Sequence, residues 1–130
     1  ERYVRQQLRR RHGMAAYAEL NLPRIKTSLG SSHVVVDGLY SWEEYMLLKE
    51  CYGGDFTAVV IQASPATRYR RLASREVRPL TLEEAASRDR SEIENSNKGG
   101  PIAMADFAIV NEASLEEMER QTERVISALI

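Results

Sequence analysis

Residues 33–41 read His-Val-Val-Val-Asp-Gly-Leu-Tyr-Ser, and the fold turns on how this stretch is interpreted. Three consecutive β-branched residues, Val34, Val35 and Val36, predict a strand buried on both faces, as in a parallel sheet. The run stops at Asp37-Gly38, where glycine permits a sharp turn. Ser41-Trp42-Glu43-Glu44 then has the pattern of a capping box and predicts the start of a helix. Asp37 would stand at the carboxyl end of a buried strand, the edge where open α/β sheets bind ligands. A carboxylate there can hold magnesium, directly or through water, or accept the proton of an attacking hydroxyl. The plainer alternative is an aspartate that caps a turn.

Upstream, residues 1–12 predict an amphipathic basic helix ending at His12-Gly13. Tyr3, Val4 and Leu8 lie on one side, among Arg2, Arg5, Arg9, Arg10 and Arg11. Residues 14–29 predict a second helix, which Pro23 should kink or split. Downstream, 42–51 predicts a helix packed through Trp42, Tyr45, Met46 and Leu48, and 56–63 a second buried strand. Ser64-Pro65 opens the next helix, Ser as cap and Pro in the first turn. Thr81-Leu82-Glu83-Glu84 is another capping box, starting a mixed-charge helix over 81–95. A single helical turn is expected over 102–105 and a third short strand over 107–110. Ser114 caps a closing helix whose apolar stripe is Leu115, Met118, Val125, Ile126 and Leu129.

The helix after Ser64 carries Arg68, Arg70, Arg71 and Arg75, with Arg78 just beyond. Arg68, Arg71 and Arg75 are spaced i, i+3, i+7 and so share one face. Guanidinium groups match phosphate oxygens through paired hydrogen bonds, which predicts a phosphate-binding surface. The alternative is a basic surface helix paired with nearby acids. The 81–95 helix has too little apolar content for a core element and reads as a flap over a charged ligand, or as an exposed helix laced with ion pairs. Lys98 could reach a phosphate when such a flap closes.

With 130 residues the chain makes one domain at most, and an apolar fraction of 43% is ordinary for a globular protein. A net charge of -1 gives no global field to recruit nucleic acid or a membrane. The basic run at 1–12 lacks the aromatic interleaving of a nucleic-acid binder. No apolar run is long enough to span a bilayer. Cys51 is the single cysteine, which excludes an internal disulfide and a cysteine metal cluster and suits a reducing, cytoplasmic compartment. No metal site is expected from His/Cys spacing, and no Gly-Lys-Ser/Thr ending follows the loop at 97–101.

The order helix, strand, helix, strand, helix, helix, strand, helix implies an α/β fold: a three-layer parallel sheet covered by helices. Within it, 34–41, 56–75 and 105–114 together resemble the later two thirds of a P-loop nucleotide kinase. Dephospho-CoA kinase and the dephospho-CoA-kinase-like proteins are the most similar. Ser64-Pro65 with Arg71 and Arg75 resembles the helix leading into their lid. Ala105-Asp106 with Asn111 resembles the strand and loop near their adenine site, and Asp37-Gly38 resembles the Asp-Gly of nucleoside monophosphate kinases and the kinase-like proteins.

The resemblance implies a single partial P-loop kinase-like domain over 1–130. Acceptor-side helices would occupy 1–29, the core 33–75 and 102–130, and a helical lid 76–101. It implies an ATP-dependent phosphotransferase, with ATP and Mg2+ as cofactors and a nucleotide or dephospho-CoA-like small molecule as acceptor. Asp37, Arg71 and Arg75 would be catalytic. Arg71, Arg75, Arg78 and Asn111 would bind the nucleotide, and Tyr40, Arg68, Arg88 and Lys98 the substrate. Relatives of this kind often carry Arg where this chain has Tyr40. The family's opening strand and Walker loop do not occur in 1–130, so the expectation is a longer protein. The competing expectation is a kinase-like binding or assembly module without catalysis. An unfilled sheet edge would favour association, with a homodimer as the form it takes.

Overall fold

The Val34-Val35-Val36 run does not form a strand. The computed structural model describes residues 2–130, without the side chains of Arg2 and Arg5, so the part those two play in the predicted basic face lies outside the described residues. Residues 33–40 have no regular secondary structure. Val35 is 95% and Val36 53% exposed. A β-branched run becomes a strand only where a neighbour takes up its backbone hydrogen bonds. Among the described residues no strand pairs with it.

The expected three-layer parallel sheet is therefore corrected to a two-stranded one within a mostly helical chain. Strand β1 (Val59–Gln62) runs parallel to β2 (Phe107–Val110), in register from Val59 with Phe107 to Gln62 with Val110. β2 falls where expected. β1 is half the length predicted over 56–63, and it is largely exposed instead of buried.

The helices are α1 (Arg2–His12), α2 (Ala16–Leu29), α3 (Trp42–Tyr52), α4 (Pro65–Ala73), α5 (Leu82–Ser96), α6 (Gly99–Ala103) and α7 (Leu115–Leu129). The single turn expected over 102–105 is replaced by α6, which begins earlier. The chain divides into two compact units, Glu1–Phe56 with Glu92–Ala103, and Thr57–Ser91 with Met104–Ile130.

In the first unit α1 ends at Gly13, whose φ of +79° suits glycine and whose N–H returns to the Arg9 carbonyl at 2.8 Å. α2 is not split; it runs through Pro23, and Thr27 Oγ1 donates to the Pro23 carbonyl at 3.0 Å. A proline removes a single helical donor, and packing on either side holds the rest. The core joins Ala18 and Ile25 of α2 to Leu48 of α3, with Leu22, Val34, Leu39, Leu47, Tyr52 and Phe56 around them. Within its run, Val34 alone packs here. Trp42 stacks on Tyr45 at 5.1 Å, and a β-carbon on Gly100 would stand 2.6 Å from the Trp42 ring, so α6 can approach α3 only as glycine.

In the second unit the strand pair is extended by Ala58, whose N–H donates to Asp106 Oδ2 at 2.8 Å, and by Asn111, whose N–H donates to the Gln62 carbonyl at 2.7 Å. Gln121 of α7 covers the other edge of β2. Its amide accepts from the Val110 N–H at 2.8 Å and donates to the Val110 carbonyl at 3.1 Å, as a neighbouring strand would. The predicted apolar stripe of α7 is not buried: Leu115, Ile126 and Leu129 are exposed.

Candidate functional site

The carboxyl ends of β1 and β2 carry the densest polar constellation of the second unit. β1 leads through Ala63 to Ser64, which caps α4 by accepting the Thr67 N–H at 3.3 Å, with Pro65 following in the first turn. β2 leads into Asn111, Glu112 and Ala113. Two of the predicted site residues meet here. Arg71 donates through Nη1 to the Asn111 carbonyl at 2.7 Å and to Asn111 Oδ1 at 3.0 Å, and through Nη2 to the Ala113 carbonyl at 3.4 Å. All three acceptors are neutral, but the Arg71 charge also acts on the carboxylate of Glu112, the next residue of the loop, and helps to hold it ionised.

Glu112 lies against the start of α4. Its carboxylate accepts the Ser64 N–H and, at 2.6 Å, the Thr67 hydroxyl. The two donors favour the ionised form and hold its pKa below the usual carboxyl value, led by Thr67. The positive end of α4 is thus met by the protein's own acid.

Arg68, on the same helix, donates through Nη1 to the Ala63 carbonyl at 2.5 Å and pairs through Nη2 with Asp89 of α5. The same Asp89 oxygen accepts the Tyr69 hydroxyl at 2.9 Å. That hydrogen bond to a carboxylate raises the Tyr69 pKa, with a smaller contribution from burial.

The expected i, i+3, i+7 arginine face is shortened. α4 ends at Ala73 with Ser74 as cap, so Arg75 lies beyond the helix, exposed, and only Arg68 and Arg71 remain in register on it. Arg78 is exposed and takes a left-handed φ of +53° in the turn before α5. Arg88 is exposed on α5.

Asp37, Tyr40 and Lys98 belong to the first unit. Asp37 is exposed in the irregular stretch and not at the end of a strand, which corrects its expected setting. Tyr40 and Lys98 come together, with the ammonium 5.5 Å from the ring centroid and Glu92 Oε2 2.6 Å from it. Gly38 has φ +96°, and a β-carbon there would stand 2.8 Å from the Tyr40 ring. The turn therefore needs glycine to let the ring lie against it.

Glu44 secures this loop. It is 1% exposed and accepts the Tyr40 N–H at 2.8 Å, while its own N–H donates to Ser41 Oγ at 3.1 Å. Ser41, fully buried, donates onward to the Met14 carbonyl at 2.8 Å. Glu44 Oε1 and Arg9 Nε are buried without hydrogen-bond partners among the described residues, although Arg9 Nη1 donates to Ser96 Oγ at 3.0 Å. Burial raises the Glu44 pKa above 4.5, opposed by the Tyr40 N–H and by the nearby Arg9 charge.

Asp89, Glu112 and Glu44 are not among the site residues expected from sequence. Glu112 was within reach, since it follows Asn111 in the loop after a predicted strand. Asp89 was not, because its partner lies 21 residues earlier on another helix. Among the described residues no group of three or more His, Cys, Asp or Glu side chains could hold a metal ion. Among the same residues no helix is long and apolar enough to cross a membrane.

No protein-family model matches the chain. It is 37% identical over 124 residues to a UPF0200 protein of Hyperthermus butylicus, covering 94% of this chain and 64% of that protein. To a UPF0200 protein of Pyrococcus furiosus it is 36% identical over 123 residues, covering 90% of this chain and 64% of that protein. The chain thus spans less than two thirds of the length of these two relatives. To a UPF0200 protein of Pyrococcus abyssi it is 32% identical over 133 residues, which cover 99% of this chain and 71% of that protein. These names state no activity. On this similarity across nearly the whole of its length, the chain belongs to the UPF0200 family.

Proposed function

We propose that the complete protein is an ATP-dependent phosphotransferase acting on a nucleotide or another small-molecule acceptor, and that it works in the cytoplasm. The observation that carries this reading is the meeting of Arg71 with Asn111 where two parallel strands end. There neutral oxygens accept the guanidinium's hydrogen bonds, and an anionic ligand would compete with the charge of nearby Glu112. Phosphoryl transfer asks a protein chiefly for positioning and charge stabilisation, which arginines supply. In this reading Arg71 and Arg75 take the phosphates of ATP, Arg78 assists, and Asn111 lies beside the base. Mg2+ would come with the phosphates of ATP.

The test is ATP turnover by the complete protein against a panel of small alcohols and nucleotides, with Arg75→Ala as the variant. Arg75 is exposed beyond the end of α4, so the variant should unfold at the wild-type temperature. Turnover should drop by about tenfold or more, as for removal of one transition-state charge partner. Turnover that survives in Arg75→Ala would remove that residue from the site. A complete protein that neither binds nor consumes ATP would favour a binding or assembly module instead.

A further inference from the structure

The arginines of α4 are not held alike. Arg71 spends its hydrogen bonds on neutral oxygens, whereas Arg68 is neutralised by a carboxylate from another helix. The Arg68 fork is half committed to the Ala63 carbonyl at the end of β1, and its other half meets Asp89 Oδ2. A phosphate presents the same planar pair of acceptors to a guanidinium as a carboxylate does, with more charge. The side chains of Arg68 and Asp89 are 40% and 31% exposed, so water reaches the pair and screening keeps it weak. α4 and α5 share little packing. Asp89, through Arg68 and the Tyr69 hydroxyl, is a side-chain tie between them.

We propose that Asp89 is the resident counter-ion of Arg68, and that a polyphosphate ligand binds by taking its place on the guanidinium and so releases α5 from α4. The inference rests on the phosphotransferase reading for the ligand class. It adds a positioning residue, and it gives α5 a reason to move when a ligand arrives. The bound anion exchanges one acceptor for another at Arg68, with no covalent change and no net proton transfer.

Titration calorimetry of the complete protein with inorganic tripolyphosphate at low ionic strength tests it. Asp89→Asn should bind about threefold more tightly than wild type, the worth of a partly exposed ion pair. Asn at this position can still accept the Tyr69 hydroxyl. Glu83→Gln, which makes the same charge change on the same helix, should leave the affinity unaltered. Arg68→Ala should bind more weakly, and adding Asp89→Asn to it should restore nothing. A gain in Asp89→Asn no larger than in Glu83→Gln would overturn the proposal and leave the phosphate reading standing. If wild type and every variant fail to bind tripolyphosphate, both fall. Independently of any variant, tripolyphosphate should change amide exchange in α5 of the wild-type protein by about threefold or more. Unchanged exchange there, with the ligand bound, would equally overturn the release of α5.

Discussion

Glu44 is the side chain whose setting departs furthest from that of an ordinary glutamate. It is 1% exposed, and burial pushes its pKa up despite the Tyr40 N–H and the Arg9 charge. The folded protein therefore holds this proton more tightly than the unfolded chain does. Its contribution to stability is full below the unfolded value, near 4.5, and is lost as pH rises through the higher folded value. Glu44→Gln keeps an acceptor for the Tyr40 N–H and removes the titration. Stability of wild type relative to Glu44→Gln should fall with rising pH across that window, by at most about 1.4 kcal/mol per pH unit. Thermal melts of both proteins from pH 4 to 7 check this, and parallel profiles would refute it. The capping role of Glu44 could be read from Ser41-Trp42-Glu43-Glu44. Its burial could not, because that depends on α1 and α2, which bring Arg9 and Tyr17 beside it.

Among the elements, local chemistry predicted starts well and partners poorly. Ser41, Ser64, Thr81 and Ser114 all cap the helices expected of them, because a cap needs only residues within one turn. Phe107–Val110 forms as a strand because β1 lies beside it. The valine run at 34–36 has equal propensity but pairs with no strand among the described residues, so it stays irregular, with Val35 and Val36 exposed and Val34 against the core. The arginine helix stops at Ala73, where Ser74 takes the cap, and Arg75 falls outside the face that spacing had given it. The caps also differ in weight. Ser41 is fully buried and serves both α3 and the Met14 carbonyl, whereas Ser114 is exposed and serves α7 alone. Ser41→Ala should cost about 2 kcal/mol or more and Ser114→Ala about 1 kcal/mol. Urea denaturation of the two variants measures the difference, and equal costs would contradict the assignment of Ser41 to two elements.

For the molecule as a whole, the candidate site residues divide between two compact units. Asp37, Tyr40 and Lys98 lie in one, and Arg68, Arg71, Arg75, Arg78, Arg88 and Asn111 in the other. The types of chemistry were readable from residue identity. Which residues meet depended on pairings across the chain, such as Arg71 with Asn111, 40 residues apart. The α/β order of elements did not hold, because the strand expected at 34–36 does not form and a strand is a property of two segments. The proposal that the strand ends receive a nucleotide is tested most directly by amide hydrogen exchange of the complete protein with and without ATP. ATP should slow exchange at 63–71 and 111–114, the segments joined by Arg71, Asn111 and Glu112, and Arg71→Ala should abolish that protection. Exchange at both segments that is indifferent to saturating ATP would contradict the proposal.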